Sequence, residues 1–268
     1  MRGIWAAVVT PVTAGFAPDA ERALPYYDEL LRQGCDGINL LGTTGEAMSF
    51  NAAQRLEYMA CVADGLPVAR MMVGTGAAAL DDAVTLTRYA IERGFAAALV
   101  MPPFFFRDAS DDGVAAFYEA LFARVRPPSR SVLLYNFPKM TGVSLHAALI
   151  ERIVRRSGGA IFGMKDSSND PLLQSDVLAR LPGFVVLPGS EADLLEARRR
   201  GCAGCISGSV ALWPELAQRV FQEEDEASAL ELRRLREALP APLLMTVRER
   251  IASQRGDDAW RRAMPPLY

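Results

Sequence analysis

Eight short apolar runs, each closing on small or polar residues and each followed by a more polar stretch, restrict this chain to very few folds. They span 6–10, 37–42, 70–75, 97–101, 131–135, 161–165, 184–188 and 204–207. Continuous apolar strands, unlike alternating ones, suit a parallel sheet covered on both faces. Between them lie amphipathic stretches at 51–64, 80–93, 111–124, 144–157 and 191–200, which read as helices. Asn51 with Gln54 forms a capping-box pattern, Gly65, Gly94 and Gly201 stand where C′ glycines stand, and Pro25 fits a helical first turn. Eight strand-helix repeats in about 250 residues predict an α/β fold, a (β/α)8 TIM barrel. A doubly wound open sheet ranks below it, because no GxGxxG turn follows the first run. Residues 1–212 would form the barrel core, and 213–268 the final barrel helix with a short C-terminal helical extension, through helices at 215–239 and 246–263.

Composition removes several classes of function. A formal charge of −3 and a pI near 5.4 give no general attraction for nucleic acid or an anionic membrane. No apolar run reaches membrane-spanning length, and the short lead into the first strand does not read as a signal peptide, so a cytoplasmic protein is expected. Cys35, Cys61, Cys202 and Cys205 are too few and too dispersed for a disulfide scaffold. The CxxC pair Cys202 and Cys205 has neither a second CxxC nor a nearby His, which argues against a metal. His146, the only histidine, falls on the 144–157 helix and reads as an ordinary side chain; a Ser-His-Asp triad is disfavoured.

In such a barrel the catalytic groups stand at the C-terminal ends of the strands. One of them is conspicuous: of 29 basic residues only Lys139 and Lys165 are lysines, and Lys165 closes an apolar strand. An amine in that setting can form a Schiff base with a carbonyl compound. Tyr135 ends the preceding strand and is the best candidate to move protons for it. The turn Gly42-Thr43-Thr44-Gly45-Glu46 offers two hydroxyls and free backbone N–H groups, suited to a carboxylate. Amine, phenol and carboxylate cradle together describe a site for a 2-keto acid.

Three segments resemble the signatures of the dihydrodipicolinate synthase and N-acetylneuraminate lyase family. They are the Gly42–Glu46 turn, Tyr135-Asn136-Phe137-Pro138 with Thr141-Gly142, and Gly163-Met164-Lys165-Asp166-Ser167-Ser168. The resemblance implies a class I, metal-free aldolase-type lyase acting on a keto acid, pyruvate, and an aldehyde, with no cofactor beyond the covalent lysine imine. Lys165 would be the nucleophile, Tyr135 the proton shuttle, and Thr43 and Thr44 would relay protons or, with Gly45, bind the carboxylate. Gly189 and Ile206 would line the pocket. Family members are commonly tetramers built from dimers, so a homo-oligomer is implied.

The chain also departs from the synthases. Their arginine two residues after the proline, which steadies the aldehyde's carboxylate, is Met140 here, beside Lys139. Losing a charge-assisted pair costs about 1.5–3 kcal/mol, one to two powers of ten in affinity. Phe106 stands in place of a relay tyrosine that reaches a neighbouring subunit's site, and Ala47, Met48, Ala78 and Phe105 replace polar residues of a feedback lysine site. These differences favour cleavage or formation of a 4-hydroxy-2-keto acid such as a 2-keto-3-deoxy sugar acid, with Ser207, Ser209 and Ser167 as hydroxyl partners. Condensation of pyruvate with aspartate semialdehyde is the alternative. A keto-acid-binding protein without turnover is a third.

Overall fold

A computed structural model describes residues 1–267; Tyr268, the last residue of the expected extension, lies outside them. Eight parallel strands are hydrogen-bonded in the order β7-β6-β5-β4-β3-β2-β1-β8. They are β1 (Gly3–Ala7), β2 (Gly37–Leu40), β3 (Met71–Gly74), β4 (Ala97–Val100), β5 (Val132–Asn136), β6 (Ile161–Asp166), β7 (Val185–Pro188) and β8 (Gly204–Ser207). Between β7 and β8 the backbone N–H of Ala203 donates to the Val186 carbonyl at 2.9 Å, which nearly closes the sheet into the expected barrel.

Helices alternate with the strands: α1 (Ala20–Arg32), α2 (Ala52–Gly65), α3 (Leu80–Glu92), α4 (Asp111–Val125), the single turn α5 (Pro138–Thr141), α6 (Ala147–Arg156), α7 (Pro171–Arg180), α8 (Leu194–Arg199) and α9 (Pro214–Glu223). Two more, α10 (Glu226–Glu237) and α11 (Leu243–Arg255), form the C-terminal extension. No helix among the described residues is long and apolar enough to cross a membrane.

Strand alternation separates two apolar layers. Ile4, Ile38, Val73, Val100, Leu134 and Met164 face the helices, whereas Trp5, Met72, Leu99, Leu133, Leu187 and Ile206 fill the barrel interior. The interior is narrow. A Cβ on Gly37 would lie 2.2 Å from the Trp5 ring, and one on Gly74 would lie 2.1 Å from the Leu41 carbonyl oxygen.

Several boundaries differ from the sequence reading. The run 6–10 predicts the first strand, but pairing begins at Gly3 and stops at Ala7; Val8 and Val9 are buried in the connection that follows. Burial alone made them strand-like. Pro25 lies well inside α1, and His146 caps α6 by accepting from Leu149 N–H. Gly65 is the last residue of α2 and not a left-handed C′ residue; a Cβ there would meet Leu24 at 2.7 Å, so close helix packing explains this glycine. The helix expected over 191–200 is confined to α8.

Burial pushes the Cys35 thiol up to about 12 and Cys202 up to about 11, from 9.0. This is the direction opposite to a reactive thiolate. The folded state therefore holds these thiols neutral, and the stability this contributes is complete below pH 9 and is lost as pH rises toward 11 and 12. The thermal midpoint should fall between pH 9 and 11; a flat midpoint over that range would contradict the burial. Gly74→Ala, which overpacks the β3 end against Leu41, should lower unfolding stability by about 1–3 kcal/mol in urea titration.

Candidate active site

The parallel register of β5 and β6 sets Tyr135 opposite Lys165 and, one residue on, Asn136 opposite Asp166. Tyr135 and Lys165 belong to the inward parity, and both are almost fully buried. Lys165 Nζ sits 4.5 Å from the centre of the Tyr135 ring, and it has no hydrogen-bond partner among the described residues. The Tyr135 hydroxyl is 3.1 Å from Thr43 Oγ1, either of which can donate. Amine, phenol and threonine hydroxyl, expected separately from three strand ends, thus converge.

The second pair faces outward and is saturated with hydrogen bonds. Asn136 Nδ2 donates to Asp166 Oδ1 at 2.9 Å, while Asn136 Oδ1 accepts from Leu145 N–H at 3.1 Å. Asp166 also accepts from the Ser168 N–H at 3.1 Å, the Ser168 hydroxyl at 3.0 Å and Gln174 Nε2 at 2.9 Å. A buried carboxylate with this many donors is a rigid anchor. It fixes the two strands one residue beyond the inward pair. The sequence reading included Asn136 and Asp166 in the family-like segments but gave them no part, and it missed Gln174; two polar residues thirty positions apart carry no signal for a cross-strand bond.

The Gly42–Glu46 turn follows β2. Leu41 and Glu46, which bracket it, both adopt left-handed backbone conformations, with φ of 48° and 53°. Such conformations cost on the order of 1–3 kcal/mol each and persist only where surrounding contacts enforce them. Thr10 Oγ1 donates to the Gly45 carbonyl at 2.8 Å, and Glu46 N–H closes the turn on the Thr43 carbonyl at 3.1 Å. The N–H groups of Thr44 and Gly45 form no hydrogen bond with another described residue. They are free to bind an anion. Thr44 is half-buried beside Gly208, where a Cβ would lie 2.8 Å from its Oγ1.

Ile206 lies in the inner layer with Tyr135, and Gly189 follows β7, its N–H donating to the Asp166 carbonyl at 2.6 Å. One expected residue, Ser207, is placed elsewhere. Ser207 has the outward parity of Cys205, and its hydroxyl lies 3.4 Å from Ser209 Oγ, which donates to Glu191 at 2.6 Å. Met140, on α5, is 55% exposed, and Phe105 and Phe106 are 75% and 76% exposed, stacked edge to face at 5.2 Å. Among the described residues no group of three or more His, Cys, Asp or Glu side chains is placed to hold a metal ion.

A parallel barrel with a buried lysine at the end of its sixth strand, a tyrosine against it and a free-amide turn nearby has the architecture of a class I aldolase-type lyase. The chain belongs to the dihydrodipicolinate synthetase family, whose model matches residues 1–249, and it is an enzyme of that aldolase-type class. It is 34% identical to an uncharacterized DapA-like lyase of Chloroflexus aurantiacus, over 82% of this chain and 74% of that one. It is 30% identical to a probable 2-dehydro-3-deoxy-D-pentonate aldolase of Escherichia coli, over 87% and 80%. The crystal structure of dihydrodipicolinate synthase from Agrobacterium tumefaciens superposes with a TM-score of 0.91 at 27% identity, covering 100% of this chain and 93% of that one.

Asp166→Ala should strand the Asn136 and Gln174 amides, at roughly 1–3 kcal/mol for each group left unpaired. Urea unfolding measures the loss, and a change below about 1 kcal/mol would remove the anchor role.

Proposed function

We propose that the protein is a pyruvate-dependent, Schiff-base-forming aldolase that reversibly cleaves or forms a 4-hydroxy-2-keto acid, such as a 2-keto-3-deoxy sugar acid. The observation that carries this reading is the unpaired Lys165 amine held against Tyr135, which is itself hydrogen-bonded to Thr43. In the synthetic direction the neutral amine adds to C2 of pyruvate, and the carbinolamine loses water as its oxygen takes a proton delivered by Tyr135. Tyr135, left as phenolate, removes a C3 proton to give the enamine. The enamine carbon attacks the aldehyde, and the new alkoxide takes the proton from Tyr135. Hydrolysis of the imine then releases the product and restores the amine. Thr43 orients the phenol, and the Thr44 and Gly45 amides bind the carboxylate. Gly189 and Ile206 complete the pocket wall.

Met140 supports the sugar-acid reading over the synthase reading. A thioether offers no bidentate partner to a second carboxylate, whereas a neutral hydroxyaldehyde needs none. The relatives include enzymes named for both activities, so this residue carries the distinction. Met140, Phe105 and Phe106 are exposed apolar side chains on the loops after β4 and β5, and they fit the same reading's homo-oligomer, a dimer or tetramer in the cytoplasm.

Borohydride reduction in the presence of pyruvate should fix a three-carbon adduct on Lys165, located by peptide mass spectrometry. Absence of that adduct would remove the mechanism. Lys165→Ala should abolish turnover with an unchanged fold, and Tyr135→Phe should slow it roughly 10²- to 10⁴-fold. Met140→Arg should raise activity with aspartate semialdehyde by roughly one to two powers of ten; wild-type activity already at that level would favour the synthase.

A further inference from the structure

The left-handed residue at the end of the carboxylate cradle is held by a contact from far along the chain. Arg248, on α11, is completely buried and forms an ion pair with Glu46, whose side chain is 1% exposed. The same guanidinium donates to the Thr10 carbonyl at 2.8 Å and to the Trp260 carbonyl at 3.3 Å. The other Glu46 oxygen accepts from the Met264 N–H at 2.8 Å. Thr10 in turn holds the Gly45 carbonyl through its hydroxyl. One arginine therefore ties the exit of β1, the last residue of the cradle and the segment after α11 into one buried cluster.

Removing Arg248 would leave the Glu46 carboxylate buried without compensation, a state the fold would relieve by letting Glu46 turn outward. Glu46 would carry the turn with it, since its N–H closes on Thr43 and the next N–H, of Ala47, closes on Gly42 at 3.3 Å. Arg is suited to this place and Lys is not: a rigid fork can serve Glu46, Thr10 and Trp260 together, whereas one ammonium on a flexible stem cannot. We propose that Arg248 is a positioning residue for the carboxylate-binding turn, so that the C-terminal extension forms part of the active-site apparatus. The effect on pyruvate rests on the function proposed above; the effect on the turn does not.

Two readouts separate these parts. Hydrogen exchange of the Glu46 and Ala47 amides should accelerate about tenfold or more in Arg248→Met and by less in Arg248→Lys, while Leu121→Ala, a cavity on α4 remote from the turn, leaves it unchanged. The pyruvate concentration that half-saturates borohydride trapping at Lys165 should rise in the same order, with the trapped rate at saturation changing less. Exchange in both Arg248 variants no faster than in Leu121→Ala would overturn the proposal. If Arg248→Met does not fold, Arg248→Lys decides it by the same criterion. A wild-type protein that traps no pyruvate would overturn the functional reading alone, because the exchange comparison still stands or falls by itself.

Discussion

The pairing of β5 with β6 is the contact on which the site depends. Strand side chains alternate, so a slip of one residue would turn Lys165 toward the helices and take its amine away from the Tyr135 ring. The register is not uniform. Val132 pairs with Ile161 but Leu133 with Gly163, so β6 carries an extra residue, Phe162, which enters the barrel floor. The Asn136–Asp166 hydrogen bond lies downstream of this irregularity. It sets the final register after the bulge has shifted it, and an outward-facing polar pair thereby determines an inward-facing reactive one.

The barrel was readable because each of its strands must be apolar on both faces, a demand imposed residue by residue along the chain. Where a strand begins is a different matter. Val8 and Val9 are as apolar and as buried as any strand residue, yet the paired residues of β1 end at Ala7, with one last bond from the Val8 N–H to the Asn39 carbonyl at 3.2 Å. Ser207 is more instructive. Ile206 and Ser207 are neighbours on one strand and must face opposite sides, so a pocket lined by Ile206 is one from which Ser207 points away. That inference was open to the sequence. The role of Arg248 was not, since a charged residue in a helix gives no sign of a buried partner some two hundred positions earlier.

Interior space and polar chemistry are divided between the two ends of the barrel. Trp5 and Phe162 fill the interior with bulk, and the closeness of Trp5 to Gly37 shows how little room remains. At the other end the side chains shrink to Gly42, Gly45, Gly189 and Gly208, and polarity is supplied by main-chain amides. In the proposed function a small acid would be bound there through these amides. The buried guanidinium of Arg248 is committed to Glu46 and carbonyl groups, so charge near the cradle serves its shape.

The scarcity of lysine has a consequence for selectivity that lies outside the pocket. Primary amines condense with aldehydes and keto acids, whereas a guanidinium stays protonated at any physiological pH. Lys139 and Lys165 are the only side-chain amines in the sequence. A surface whose cations are almost all arginines is chemically mute toward the carbonyl compounds such an enzyme handles, so adventitious imines have one side-chain site at which to form, and the molecule resists being marked by its own reactants.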